Sequence, residues 1–209
     1  MSLGTCLFCI CYTYFMKRIE KLSEKVSELY KAKHEGRADW AGYMYDSHVF
    51  VVSKYAQELS KRFGVQNDLA EAAAILHDIA DAVMSRFDSE HEKKSLEIAR
   101  AFLSETDYSS DEIEIIVDDI IANHSCYPGH LPQTLEGKIM ATADAKAHID
   151  TDFYNFASDQ MSVVKTQEEI KNWILEKIDR DFNVKIFFPE VKKELQEVFE
   201  QKKREFNIN

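Results

Sequence analysis

Residues 70–81 read AEAAAILHDIAD, and this stretch decides the fold expected of the whole chain. Its alanines favour a helix and leave room for neighbouring helices to approach closely. The pattern predicts a helix from Leu69 to about Ile79, with His77 and Asp78 at its carboxyl end. Imidazole and carboxylate groups both bind divalent metal ions, so this helix is a candidate for carrying metal ligands into the interior.

The composition of the chain favours an all-α fold. Its 209 residues include six glycines and three prolines, and 45% of the residues are apolar. Few turn-forming residues favour long regular elements over a β architecture with many turns. A chain of this length suits one domain, and we expect residues 1–209 to form a single one.

Apolar residues recur at three- and four-residue spacing, which is typical of helices with one buried face. A helical segment from Tyr45 to Phe63 ends at Gly64, and the strongest break in the chain is the loop from Ser125 to Pro132. The other predicted helices cover residues 16–33, 89–103, 110–123, 134–149, 166–181 and 189–206.

The formal net charge of −11 excludes some classes of partner. Nucleic acids and anionic membranes both require a concentrated positive surface, so we expect neither to be the principal partner. A small anionic substrate remains compatible with this charge if a metal ion supplies the positive charge.

Three of the four cysteines, Cys6, Cys9 and Cys11, crowd the amino terminus. They lack a fourth ligand at zinc-site spacing, and they are not spread along the chain as a disulfide framework requires. The apolar stretch from Leu3 to Phe15 is too short to span a bilayer and has no basic leader. We therefore expect a cytoplasmic protein with reduced thiols, in which the residues before Met16 either belong to the mature chain or precede its start.

Further candidate metal ligands lie in helix-like segments on both sides of His77 and Asp78. They are His48, His91, His124 and Asp144. Asp144 lies in an alanine-rich segment, where a buried carboxylate costs several kcal/mol unless it is paired or bound to a metal. The pattern predicts a metal site inside a helical bundle.

These residues resemble the HD-domain metal-dependent phosphohydrolases, whose pattern is a His, a His-Asp doublet and a distal Asp on successive helices. The matching residues are His48, His77, Asp78 and Asp144, within HVFVVSKYAQELSKRFG, AEAAAILHDIAD and EGKIMATADAKAHID. The resemblance covers roughly Tyr45 to Ile149. It implies an HD core over about residues 45–150, with an additional amino-terminal helix and additional carboxyl-terminal helices.

Some members of this family bind two metal ions, and the resemblance implies where a second ion would be held. The four matching residues would bind the first ion, and Asp78 would bridge to a second ion held by His91 and His124. Some two-ion members have adjacent histidines where this chain has His124 and Ser125, although His130 or His148 could replace a ligand. Ligand types alone do not decide between one and two ions, nor among Fe, Mn, Co, Ni, Zn and Mg.

Candidate catalytic residues follow from position. Several nucleotide hydrolases of the family carry an acid four residues after the doublet histidine, and here that residue is Asp81. One helical turn from His77, Asp81 could orient or deprotonate the attacking water or protonate the leaving group. Lys146 and Arg86 are candidates to contact a phosphate.

The leading hypothesis is a metal-dependent phosphohydrolase acting on a small phosphorylated metabolite such as a nucleotide. One alternative is an oxygenase of the same fold that uses a pair of irons, and another is a non-catalytic nucleotide-binding module. We expect a small phosphorylated substrate and no nucleic-acid or membrane partner, and assembly into a homo-oligomer is left open.

Overall fold

A computed structural model describes the backbone of residues 7–37 and 40–208 and the side chains of residues 17–37 and 40–207. Within these ranges the chain forms nine helices and no β-strand, which confirms the predicted all-α class. No helix among the described residues is both long and apolar enough to cross a membrane. The predictions for Cys6, Cys9 and Cys11 concern side chains outside the described set.

Several helices are α-helical throughout. Among them are α1 (Leu7–Lys31), α3 (Leu69–Leu76), α4 (His91–Ser104) and α7 (Phe153–Met161).

The remaining helices complete the bundle, and three of them contain a π-helical turn. Helix α2 joins Ala41–Met44, a π-helical Tyr45–Val49 and Phe50–Arg62; α5 joins Ser110–Glu114 and a π-helical Ile115–Ile121; α6 is Leu135–Asp150; α8 joins Gln167–Arg180 and a π-helical Asp181–Lys185; and α9 is Pro189–Ile208.

Helix α6 forms the centre of the bundle. It packs against α2, α3, α5, α7, α8 and α9. Apolar residues occur on every side of it, and Ile139, Met140, Ala143, Ala147 and Ile149 are all completely buried. A helix with apolar residues all round must be surrounded by other helices, so α6 carries Asp144 into the interior.

Helix α3 packs against both α2 and α6. Ala70, Ala72, Ala73 and Ala74 are completely buried, as the predicted close packing requires. The helix ends at Leu76, three residues before the predicted Ile79.

The helix ends early because Asp78 leaves the helical backbone conformation. Its φ and ψ are −119° and 29°, and a short 3-10 turn, Ile79–Ala82, follows it. The side chains after Asp78 therefore do not continue the periodicity of α3.

Two polar arrangements fix the ends of the bundle. Arg18 on α1 forms a buried ion pair with Asp68, and Glu112 joins it at 2.8 Å. At the start of α6, Asp119 accepts hydrogen bonds from the backbone N–H groups of Gln133 and Thr134 at 2.8 and 2.9 Å. Thr134 then caps α6 by accepting a hydrogen bond from the N–H of Gly137 at 3.1 Å. These contacts hold α6 in place relative to α5.

Two further features of the fold differ from the sequence-based predictions. Helix α1 begins at Leu7 and not at Met16, and α7 was not predicted at all. Phe153–Met161 is only nine residues long, too short to be stable as an isolated helix, and it is held by its contacts with α6 and α8.

Candidate metal centre

Four side chains predicted to bind a metal meet between α2, α3 and α6. Nε2 of His48 lies 3.2 Å from Oδ1 of Asp144, and Nε2 of His77 lies 3.9 Å from the same oxygen. Nε2 of His77 is also 3.3 Å from Oδ2 of Asp78. A single ion with ligand bonds of about 2.0–2.2 Å requires ligand atoms roughly 3–4 Å apart, so these distances fit one ion.

The backbone orients His77 toward this centre. Nδ1 of His77 lies 2.8 Å from the carbonyl oxygen of Ala74, which can only accept a hydrogen bond. Nδ1 must therefore carry the proton, and the lone pair of a neutral His77 lies on Nε2. The same arrangement recurs at His124, whose Nδ1 donates to the carbonyl of Ile121 at 2.6 Å.

Two of the converging atoms are buried without a hydrogen bond from any described residue. They are Nε2 of His77 and Oδ1 of Asp144. Buried polar atoms normally have a partner, and a lone pair facing a carboxylate oxygen is repulsive. A cation between these atoms would satisfy both, so the donor set fits a divalent metal.

The protonation states of these groups also suit a metal. Burial lowers the pKa of His48, and burial followed by the nearby His77 lowers the pKa of His124 to about 4. Burial alone would raise the pKa of Asp78, but Arg86 and then His77 outweigh it and hold that pKa well below its ordinary value. Near neutral pH His48 and His124 are thus unprotonated and the Asp78 carboxylate is ionised, as metal ligands must be.

Further charged residues surround Asp144, and the sequence-based reasoning missed most of them. Lys185, at the end of α8, is completely buried and donates a hydrogen bond to Oδ2 of Asp144. Its Nζ is also 3.7 Å from Oδ1 of Asp181, which accepts a hydrogen bond on its other oxygen from Tyr154 at 2.8 Å. Lys185 therefore neutralises one oxygen of Asp144 and leaves Oδ1 to face the candidate ion.

His148 belongs to the same cluster. Nε2 of His148 is 3.3 Å from Oδ1 of Asp144, and Nδ1 is 3.1 Å from Oδ2 of Asp181. Its ring stacks on that of His48 with centroids 4.8 Å apart. Burial lowers the pKa of His148 to about 3, although Asp144 opposes this shift. A neutral His148 carries a proton on only one ring nitrogen and can donate a hydrogen bond from that nitrogen alone. The unprotonated nitrogen therefore needs a cation or a water molecule between it and the carboxylate that it faces.

In the sequence, the signal that points to His148 and Lys185 is their four-residue spacing from an aspartate. His148 follows Asp144 by four residues, and Lys185 follows Asp181 by four, so each pair shares a helix face. Nothing in the sequence brings the two pairs together, because their contact depends on how α8 packs against α6.

Asp81 lies elsewhere than predicted. It is buried beside the cavity, with Oδ1 2.8 Å from Nε2 of His91 and both oxygens hydrogen-bonded to Arg86. The prediction assumed that one α-helical turn separates His77 from Asp81. The 3-10 turn Ile79–Ala82 interrupts the α-helix, so Asp81 does not lie on the same helix face as His77. Since its oxygens are already engaged, Asp81 fits a role in holding Arg86 and His91 better than one in handling water.

The second ion predicted at His91 and His124 finds no assembled site among the described residues. The groups that could hold an ion are His48 with His77 and Asp78, and His48 with Asp144 and His148. Nε2 of His91 is bonded to Asp81, and the guanidinium of Arg86 donates to Oδ2 of Asp78 at 2.7 Å. Arg86 therefore holds Oδ2 of Asp78, which is the same oxygen that lies 3.3 Å from Nε2 of His77.

Lys146 does not reach the centre. It follows Asp144 by two residues on α6, which places it about 200° around the helix. Its ammonium group pairs with Asp150 and lies 4.4 Å from the ring centroid of Tyr55. Lys146, which the sequence suggested for contact with a phosphate, therefore lies on the face of α6 away from the cavity.

A cavity of about 290 Å³ opens onto the centre. Its floor includes His77, Asp78, His124, Asp144 and His148. Its cationic side chains are Arg86, Lys177, Arg180 and Lys185, and its aromatic side chains include Trp40, Phe87, Tyr127, Phe156 and Trp173. The arrangement can hold an ion at the floor, an anionic group beside it and a flat apolar group nearer the mouth.

Comparisons with known proteins agree with this centre. A family model described as the HD domain matches residues 45–148. An uncharacterized protein from Clostridium beijerinckii is 30% identical over 114 residues, which make up 54% of this chain and 64% of that relative. The match thus spans less than two thirds of the relative's length. No solved structure matches the chain.

Proposed function

Through residues 45–148 this chain belongs to the HD-domain superfamily, and we propose that it is a metal-dependent phosphohydrolase acting on a small phosphorylated metabolite. The observation that carries this proposal is that donor atoms of His48, His77, Asp78 and Asp144 lie 3.2 to 3.9 Å apart in successive pairs beside a cavity.

These four residues would hold one divalent transition-metal ion or Mg²⁺, with His148 as a further candidate ligand. Such an ion would activate water and neutralise charge on phosphoryl oxygens. The side chains of the protein then have distinct tasks. Burial would lower the pKa of Lys185, but Asp144 and Asp181 outweigh this effect and raise that pKa. Lys185 therefore stays charged, and its charge keeps Asp144 ionised and in place.

Arg86 keeps Asp78 oriented on the opposite side of the centre. Its guanidinium donates to Asp78 and Asp81 together, and these carboxylates raise its pKa despite its burial. Asp81 pairs with Arg86 and is itself in contact with Nε2 of His91. Both candidate metal-binding carboxylates are thus held by a cation, completely buried in the case of Lys185 and partly exposed in the case of Arg86, which restricts the motion of the ligands.

The class of substrate that fits best is a nucleotide. The cavity volume of about 290 Å³ is at the small end of ligand sites, which suits a metabolite and not a polymer. Phe87 and Trp173 on the lining are at least one third exposed, so their rings are available to stack on a flat ring near the mouth. A phosphate ester with a base would place its phosphate at the floor and its base at this aromatic rim.

The decisive experiment combines metal analysis with a substrate screen. Protein purified without chelator would be analysed for metals, and release of phosphate would be followed from nucleoside monophosphates and p-nitrophenyl phosphate with added Mn²⁺, Co²⁺, Ni²⁺ or Mg²⁺. Asp78→Ala should abolish both metal binding and phosphate release. Asp179→Ala is the matched control, because Asp179 pairs at 2.9 Å with the partly exposed Lys203 on a different surface.

Each result separates the three candidate functions. Phosphate release that requires Asp78 supports the proposal. Iron-dependent consumption of dioxygen without phosphate release would replace it with the oxygenase, and tight nucleotide binding without turnover under any metal would replace it with a binding module.

A further inference from the structure

The four cations that line the cavity do not have equivalent surroundings. Arg86 is paired with Asp78 and Asp81, Lys185 is paired with Asp144, and Lys177 lies 3.4 Å from Asp181. Arg180 differs from these three. No carboxylate in the described part of the chain lies within ion-pair distance of it.

The position of Arg180 is fixed even though its charge is unpaired. Its guanidinium carbon lies 4.7 Å from the ring centroid of Tyr127, which follows His124 by three residues. Its Nε is buried and has no hydrogen-bond partner among the residues described. A buried donor without a partner costs free energy, and a stacked guanidinium loses little further freedom when it binds an anion.

Charge balance indicates what this cation is for. The four buried or half-buried carboxylates around the cavity, Asp78, Asp81, Asp144 and Asp181, are matched in number by Arg86, Lys177, Arg180 and Lys185. One divalent ion would leave a surplus of two positive charges, which is the charge that a phosphomonoester dianion neutralises. Glu92, the other acid of the lining, is exposed to water and is screened.

We propose that Arg180 binds the non-bridging oxygens of the substrate's phosphoryl group and makes the cavity select dianionic phosphomonoesters over monoanionic phosphodiesters. This inference rests on the phosphohydrolase function proposed above. Arg180 lies on α8, beyond the residues 45–148 matched by the family model, so this selectivity would be contributed by the carboxyl-terminal helices.

The direct test measures binding of inorganic phosphate to Mn²⁺-loaded protein by titration calorimetry at pH 7.5, where phosphate is mostly a dianion. Arg180→Gln should weaken phosphate binding by about 10-fold or more, as expected for the loss of a charge-assisted hydrogen bond. Arg180→Lys keeps the charge without the two-pronged geometry and should lose less. Arg62→Gln is the matched control and should change nothing, because Arg62 pairs with Glu194 at 2.8 Å on the exposed surface.

Selectivity is tested by kinetics with two esters. Arg180→Gln should raise KM for p-nitrophenyl phosphate by about 10-fold and change KM for bis(p-nitrophenyl) phosphate by less than about 3-fold, since only the monoester carries the second charge. Metal content should match that of the unmodified protein, which separates a lost substrate contact from a lost metal ion.

The outcomes distinguish this inference from the proposed function. Equal phosphate affinity in Arg180→Gln and the unmodified protein would overturn the role of Arg180 even if the enzyme hydrolyses phosphate esters. Phosphate binding that depends on Arg180 in a protein without hydrolase activity would leave the anion site standing and remove the proposed function. If Arg180→Gln does not fold, Arg180→Lys decides, because an unchanged affinity and an unchanged monoester preference in that variant would contradict bidentate binding.

Discussion

Replacing Lys185 with methionine should destabilise the metal-free protein by about 3–5 kcal/mol, as expected when one partner of a buried ion pair is removed. Lys185 is 1% exposed and lies between two carboxylates that are themselves almost inaccessible. Methionine fills most of the same volume, so the cost is electrostatic and not a cavity.

The magnitude follows from the distances. At 3.7 Å, the separation of Lys185 Nζ and Asp181 Oδ1, a unit charge pair interacts by about 4.5 kcal/mol at an effective dielectric constant of 20. The contact with Asp144 is closer still. Part of this attraction is offset by the cost of dehydrating the lysine, which leaves the net loss in the range given.

The assay is urea unfolding followed by circular dichroism, with and without Mn²⁺. Lys203→Met is the control, because Lys203 forms a partly exposed ion pair with Asp179 and should contribute no more than about 1 kcal/mol. The penalty for Lys185→Met should shrink when Mn²⁺ is added, since the ion supplies positive charge to Asp144. A loss no larger than that of Lys203→Met in the metal-free protein would refute the reasoning and would mean that Asp144 is already neutral without the lysine.

Three further predictions concern the metal count, the two-ion hypothesis and pH. Asp78→Ala should lower bound metal from about one equivalent to near zero by elemental analysis, because the site loses a charged ligand. His91→Gln should retain about one equivalent, since Nε2 of His91 is bonded to Asp81; loss of the metal would instead support the two-ion site. Glu71→Gln should stabilise the protein at pH 8 but not at pH 4.5. Burial, followed by Asp68, raises the pKa of Glu71 to about 7, so the folded protein binds a proton at Glu71 more tightly than the unfolded chain does. Protonated Glu71 contributes stability that is fully present below pH 4.5 and is lost as the pH rises through 7. The gain at pH 8 is at most about 3 kcal/mol, and urea unfolding at both pH values that gives no difference would contradict the assigned burial.

The sequence was sufficient to predict the fold class, and it singled out four residues that the structure places near one another. Helical periodicity reports which face of a helix is buried, and an Asp in the alanine-rich α6 is informative because burying it alone is costly. Both signals are local, so they can be read from a single segment.

The differences have two causes, and the first is that local periodicity does not record where a helix changes geometry. Asp81 was placed by continuing α3 through Asp78, and the backbone turns there. Lys185 and Arg180 lie more than 30 residues from the nearest predicted ligand, Asp144, and reach the centre only because α8 packs against α6. The second cause is that pairings of that kind depend on the packing of whole helices and leave no mark in the sequence around either residue.

The three π-helical turns have a consequence for comparing this protein with its relatives. His48 lies within one, His124 follows another by three residues, and Lys185 ends the third. A π-helical turn accommodates roughly one residue more than an α-helical turn, so deleting a residue there would leave a continuous α-helix and rotate one side of it by about 100° relative to the other. An alignment of relatives should therefore be inspected for single-residue gaps at 45–49, 115–121 and 181–185. A relative with such a gap would keep every helix, but the side chain near the gap would point away from the metal centre. Counting matching ligand residues in an alignment would not detect this change of direction.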